Sequence, residues 1–130
     1  MSLEASLLVL LGGFLGGASR FAVAGAVDRR LGPAFPWGTF AVNVSGSALI
    51  GLLAGLVRLL DAPGAQDMVQ AFFIVGFCGG YTTVSSFALQ TLSLALDGKR
   101  DVAAANVVAS ALVCLAATGL GFLAAAGFGR

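Results

Sequence analysis

Four long apolar stretches separated by short polar linkers leave this chain few ways to fold. They run over roughly 3–27, 37–60, 68–96 and 102–128. Each exceeds the ~20 residues a helix needs to cross a hydrocarbon core of ~30 Å. Charged residues are 10% of the 130 and hydrophobic ones 58%, too little charge to cover the surface of a soluble domain. The expectation is an all-α integral membrane protein, a single transmembrane domain over 1–130, with no soluble enzyme module. The first stretch reads as a span and not a cleaved leader, because it is long and no basic region precedes it. A net charge of +1 without a basic run gives no footing for nucleic acid.

The linkers are turns. Asp28–Pro33 closes the first span, Asp61-Ala62-Pro63-Gly64 carries both helix breakers, and Asp97–Asp101 is charged. Turns this short make consecutive helices antiparallel and put both termini on one side. Basic residues barely decide which side that is. Arg29, Arg30, Lys99 and Arg100, with Arg20 nearby, face Arg58 and Arg130 across the membrane. So weak a bias lets the chain insert both ways, and oppositely inserted copies build an antiparallel dimer of dual topology. Gly12/Gly16, Gly13/Gly17, Gly51/Gly55 and Gly76/Gly80 are small-xxx-small pairs, which allow close helix packing in lipid. Cys78 and Cys114 both fall inside spans and suggest neither a disulfide framework nor a metal site.

The third span contains Gly76-Phe-Cys-Gly-Gly-Tyr-Thr-Thr-Val-Ser-Ser-Phe87, three glycines and four serine or threonine residues at membrane depth. Such a stretch is a poor helix. The expectation is a break at Gly79–Thr83, tolerated only where the freed backbone groups find partners. Unwound carbonyls at this depth suit a small cation. The alternative is a continuous helix whose hydroxyls bond back to their own turn.

Polar residues recur every four positions on the flanking spans. Thr39, Asn43 and Ser47 lie on the second, and Asn106, Ser110, Cys114 and Thr118 on the fourth. That spacing keeps each set near one face. The alternative role for these groups is bonding helix to helix, at ~0.6 kcal/mol each. As a pore lining they offer amide and hydroxyl donors, a thiol and the positive edges of nearby phenyl rings. These suit a small, strongly hydrated anion. Glu4 is terminal and every Asp sits in a linker or at a span end, which argues against acidic cation rings and proton-coupled exchange.

Three motifs carry a resemblance over nearly the whole chain. They are Gly12-Gly-Phe-Leu-Gly-Gly-Ala-Ser-Arg20, Pro36-Trp-Gly-Thr-Phe-Ala-Val-Asn-Val-Ser-Gly-Ser47 and the Gly76–Phe87 run. In this order and spacing the chain resembles the Fluc or CrcB family of small bacterial fluoride channels. The resemblance implies passive fluoride export that protects the cytoplasm, in the bacterial inner membrane. Hydrogen fluoride enters as a neutral acid and ionises inside, so a leak for the anion lets it out and no catalytic step is needed. It also implies a dual-topology homodimer, or a heterodimer with an oppositely oriented paralogue, with two pores. A structural sodium ion would be held by the backbone carbonyls of Gly79 and Thr82. The family's pore asparagine matches Asn43, and its fourth-helix polar track matches Ser110, Cys114 and Thr118, with Asn106 where some members carry tyrosine. The motif arginine matches Arg20, placed at a vestibule because a bare cation in the narrow pore would hold the anion. Of two phenylalanines usual in the third motif only Phe87 is present, the other being Val84. Gln90 stands where a glutamate is frequent, and Cys114 replaces a hydroxyl.

Two other functions compete. A small multidrug exporter is also a four-helix chain of dual topology, but it needs a carboxylate within the membrane. A non-conducting assembly protein would use the polar stripes only for packing.

Overall fold

The computed structural model describes residues 2–129; Arg130, counted above among the basic residues, lies outside them. The described residues are helical apart from the linkers and one interruption. Helix α1 spans Leu3–Leu31, α2 Trp37–Val57, α3 Pro63–Val69, α4 Gly79–Tyr81, α5 Val84–Leu96 and α6 Arg100–Phe128, with a π-helical segment, Gln70–Cys78, joining α3 to α4. Four helical stretches, Leu3–Leu31, Trp37–Val57, Pro63–Leu96 and Arg100–Phe128, are long and apolar enough to cross a membrane.

The boundaries differ from the apolar stretches where backbone chemistry outweighs hydropathy. Helix α1 continues through Asp28, Arg29 and Arg30 because nothing stops it before Gly32. Gly32 takes φ 80° and its N–H bonds the Asp28 carbonyl at 2.9 Å, a left-handed stop suited to glycine. Two arginines in the last turn also face the negative end of the helix dipole. Helix α2 stops at Val57, and Leu59 and Leu60 close a tighter turn onto the Leu56 and Val57 carbonyls. The third span starts at Pro63, which has no N–H to leave unsatisfied in a first turn.

Two seams hold the bundle. Helix α2 lies along α6, and α1 lies along the first half of the third span. Both are built on absent side chains. A Cβ on Gly51 would strike the Thr118 carbonyl, and one on Gly121 the Ala48 carbonyl. On the other seam, Gly12 and Gly16 admit the backbone around Phe72 and Phe77, and Gly80 lies against Gly13. These are backbone-to-backbone contacts of the kind that drive association in lipid. Gly17 has nothing near it, so the Gly13/Gly17 pair is not a packing pair within the chain.

Few side chains are enclosed. Val42, Cys78 and Asn106 are the largest that are fully buried, while Phe14, Phe21 and Leu115 are more than 70% exposed. That distribution suits a protein whose outer solvent is hydrocarbon. At the ends, the Asp28 carboxylate accepts a 2.7 Å bond from the Gly38 amide and so ties the first linker to the start of α2. Phe35, Trp37 and Phe40 cluster beside it, at the level where aromatics favour a membrane interface.

Candidate functional site

The third span is interrupted at Thr82 and Thr83, whose backbones are extended (φ −79°, ψ 158° and φ −150°, ψ 120°). Gly79, Gly80 and Tyr81 remain helical, so the break is narrower than Gly79–Thr83. Its residues explain this. β-Branched threonines favour extended backbone, whereas Gly76 and Gly80 serve the seam with α1. Threonine hydroxyls also finish both helix ends. Thr82 Oγ1 donates to the Cys78 carbonyl at 3.0 Å, and Thr83 Oγ1 accepts from the Ser86 amide at 3.1 Å as an N-cap.

The freed backbone is claimed by Asn43. Its Oδ1 accepts from the Thr83 amide at 2.7 Å and its Nδ2 donates to the Thr83 carbonyl at 2.9 Å. In a continuous helix that amide would bond the carbonyl of Gly79. The asparagine therefore acts as one rung of a sheet, satisfying an extended residue that is buried and would otherwise be costly. It retains one further N–H. Arg20, from α1, brings Nη1 to 3.5 Å from the Thr82 carbonyl, a contact at the long end for a hydrogen bond.

A cavity of about 440 Å³ opens beside the break. It brings together Asn43, Ser47, Phe87, Ser110 and Cys114, with Thr82, Thr83 and Val84 of the break in its wall. Polar groups of α2 and α6 thus meet across one space. Val84 is 79% exposed at its edge. Thr39 is not in this cavity. It lines a second one of about 830 Å³ with Arg20, Ser86 and Gln90, and Thr83 borders both. The Gln90 Oε1 is buried without a hydrogen-bond partner, an unmet acceptor in that wall.

Asn106 stands behind the cavity, not in it. It is 1% exposed. Its Nδ2 donates to Thr91 Oγ1 at 2.9 Å, and Thr91 in turn donates to the Phe87 carbonyl at 2.7 Å. Its Oδ1 accepts from Ser110 at 3.3 Å. The chain of bonds begins and ends on cavity-lining residues and fastens α5 to α6. Thr118 lies outside the cavity too, bonding back to the Cys114 carbonyl at 3.0 Å. Gly79 is exposed and a Cβ there would meet nothing. Sequence reasoning missed the π-helical segment, Thr91 and the pairing of Asn43 with Thr83. Only the hydroxyl of Thr91, four residues from Phe87, hinted at the second of these.

Comparison with known proteins is consistent across the chain. Residues 7–122 match the family model described as CrcB-like protein, Camphor Resistance (CrcB). A fluoride-specific ion channel, FluC 3, of Brucella suis is 54% identical over 122 residues, covering 94% of this chain and 92% of the relative. FluC 2 of Bradyrhizobium diazoefficiens is 46% identical over 98% of this chain and 93% of its own length. The FluC channel of Opitutus terrae is 47% identical over 93% and 92%. With a helical break, a donor-lined cavity and matches of this extent, the chain belongs to the CrcB family.

Proposed function

We propose that this multi-pass membrane protein is a fluoride-specific ion channel, passively releasing cytoplasmic fluoride across the bacterial inner membrane. The observation that carries the reading is the cavity where Asn43, Ser47, Ser110 and Cys114 face Phe87 at the helix break. Neutral donors replace the water around a small anion yet hold it weakly enough to release it. All six carboxylates, Glu4, Asp28, Asp61, Asp67, Asp97 and Asp101, are exposed, so none is poised inside the bundle for proton or drug exchange. Fluoride channels among the relatives support the anion's identity.

The chain works as one transmembrane domain in an antiparallel homodimer, or paired with an oppositely oriented paralogue, with lipid around it and one pore per chain. A structural sodium ion would be held by the backbone carbonyls of Gly79 and Thr82. The chemistry of the donor set fits: backbone carbonyls are the oxygen ligands a hard cation prefers, Gly79 is exposed, and the Thr82 carbonyl accepts only the long contact from Arg20. When bound, the ion supplies a fixed positive charge. Arg20 and Thr39 line the approach, and Asn106 and Thr118 support the pore wall from α6. Purified protein in fluoride-loaded liposomes should release fluoride down its gradient, with chloride retained. Intact dimers that release none would overturn the reading.

A further inference from the structure

Asn43 and Gly46 are three residues apart on α2, hence on neighbouring positions of one face. Asn43 holds Thr83 by two hydrogen bonds. Gly46, which is buried, faces the residue before Thr83. A Cβ on Gly46 would collide with the Thr82 methyl, Cγ2, and stand 3.1 Å from the Tyr81 ring. Thr82 is not free to turn away, because its hydroxyl donates to the Cys78 carbonyl. Rotation about χ1 would trade that bond for the methyl's relief. Beside them the Ser45 and Tyr81 hydroxyls are 3.0 Å apart. Helix α2 thus forms a seat for the break, with a hollow shaped to one methyl group.

We infer that Gly46 is a positioning residue for the cation site: by accepting the Thr82 methyl it sets where the Thr82 carbonyl stands. This rests on the reading that this carbonyl ligates sodium. A methyl at position 46 pushes the break off α2, moves the carbonyl and stretches both Asn43–Thr83 bonds. Gly51 gives the contrast. Its hypothetical Cβ meets the Thr118 backbone, an obstacle that no side-chain change removes. At Gly46 the hard obstacle is a side-chain methyl, so Thr82→Ser, which keeps the hydroxyl and deletes that carbon, leaves only the Tyr81 ring to give slightly.

The test is a size swap read by sodium dependence. Wild type, Gly46→Ala, Thr82→Ser and the double variant are placed in proteoliposomes made sodium-free, and fluoride efflux is followed as sodium is titrated back. Gly46→Ala should raise the sodium needed for half-maximal efflux roughly ten-fold, the usual scale for overpacking a tight contact. The double variant should return to within about two-fold of Thr82→Ser alone, which sets the baseline for the break without its methyl. Gly46→Ala with wild-type sodium dependence, or a double variant no better than Gly46→Ala, overturns the inference. If Gly46→Ala yields no dimer, recovery of the dimer by Thr82→Ser on size-exclusion chromatography supports it, and no recovery overturns it. Sodium-independent efflux of the wild type would instead remove the sodium reading. The seat is then judged on maximal efflux, which Gly46→Ala must lower and the double variant restore.

Discussion

The two asparagines of the chain, Asn43 and Asn106, each belong to a run of polar residues spaced by four, and they are placed differently. Asn43 gives both ends of its amide to the backbone of one extended residue and still reaches the cavity. Asn106 gives both ends to side chains, Thr91 and Ser110, and is sealed behind the wall. The first holds open a break that the chain's own helix propensity cannot finish. The second joins two helices that are already complete. In the proposed channel the amide at the break belongs to the conduction geometry, whereas the one sealed between helices is scaffolding.

Substitutions at these two positions should separate the roles. Asn43→Ala leaves the buried Thr83 amide without an acceptor, a loss of about 1–3 kcal/mol. Fluoride efflux from proteoliposomes should fall by roughly ten-fold or more while size-exclusion chromatography still shows a dimer. Wild-type efflux in that variant would return Asn43 to a packing role. Phe87→Ile keeps an apolar side chain but removes the positive ring edge from the cavity. Its efflux should drop several-fold, with a modest loss of thermal stability from the smaller side chain. Asn106→Leu comes third. It forfeits helix-to-helix bonds of about 0.6 kcal/mol each, so thermal stability falls modestly and efflux stays within about three-fold. A loss as large as that of Asn43→Ala would show that the Thr91–Phe87 relay matters more to conduction than the break.

The same contrast explains what was legible beforehand. Four spans follow from length and hydropathy alone, and the break follows from glycines and hydroxyls meeting at membrane depth. Its place did not. Glycine content pointed to Gly79–Thr83, yet Gly76 and Gly80 are needed for close approach to α1, and the threonines do the bending. Spacing of four put Asn43 with Ser47 and Ser110 with Cys114, and all four line one cavity. It could not separate them from Asn106 and Thr118, because spacing reports a face and not the neighbour on it. Thr91 sits behind Asn106 only because α5 leaves the break toward α6, a tertiary fact no local pattern carries. The widened turns of Gln70–Cys78 have no counterpart in the residue pattern.

A thiol in the cavity wall reports directly on whether fluoride passes through the cavity at the break. Cys114 lines the cavity, while Cys78 is fully buried. Methyl methanethiosulfonate should add a thiomethyl group to Cys114 alone, seen by mass spectrometry, and fluoride efflux should fall as modification rises. Cys114→Ser should conduct and be indifferent to the reagent. Complete modification of Cys114 with undiminished efflux, or an unreactive Cys114 in a conducting protein, would contradict the account.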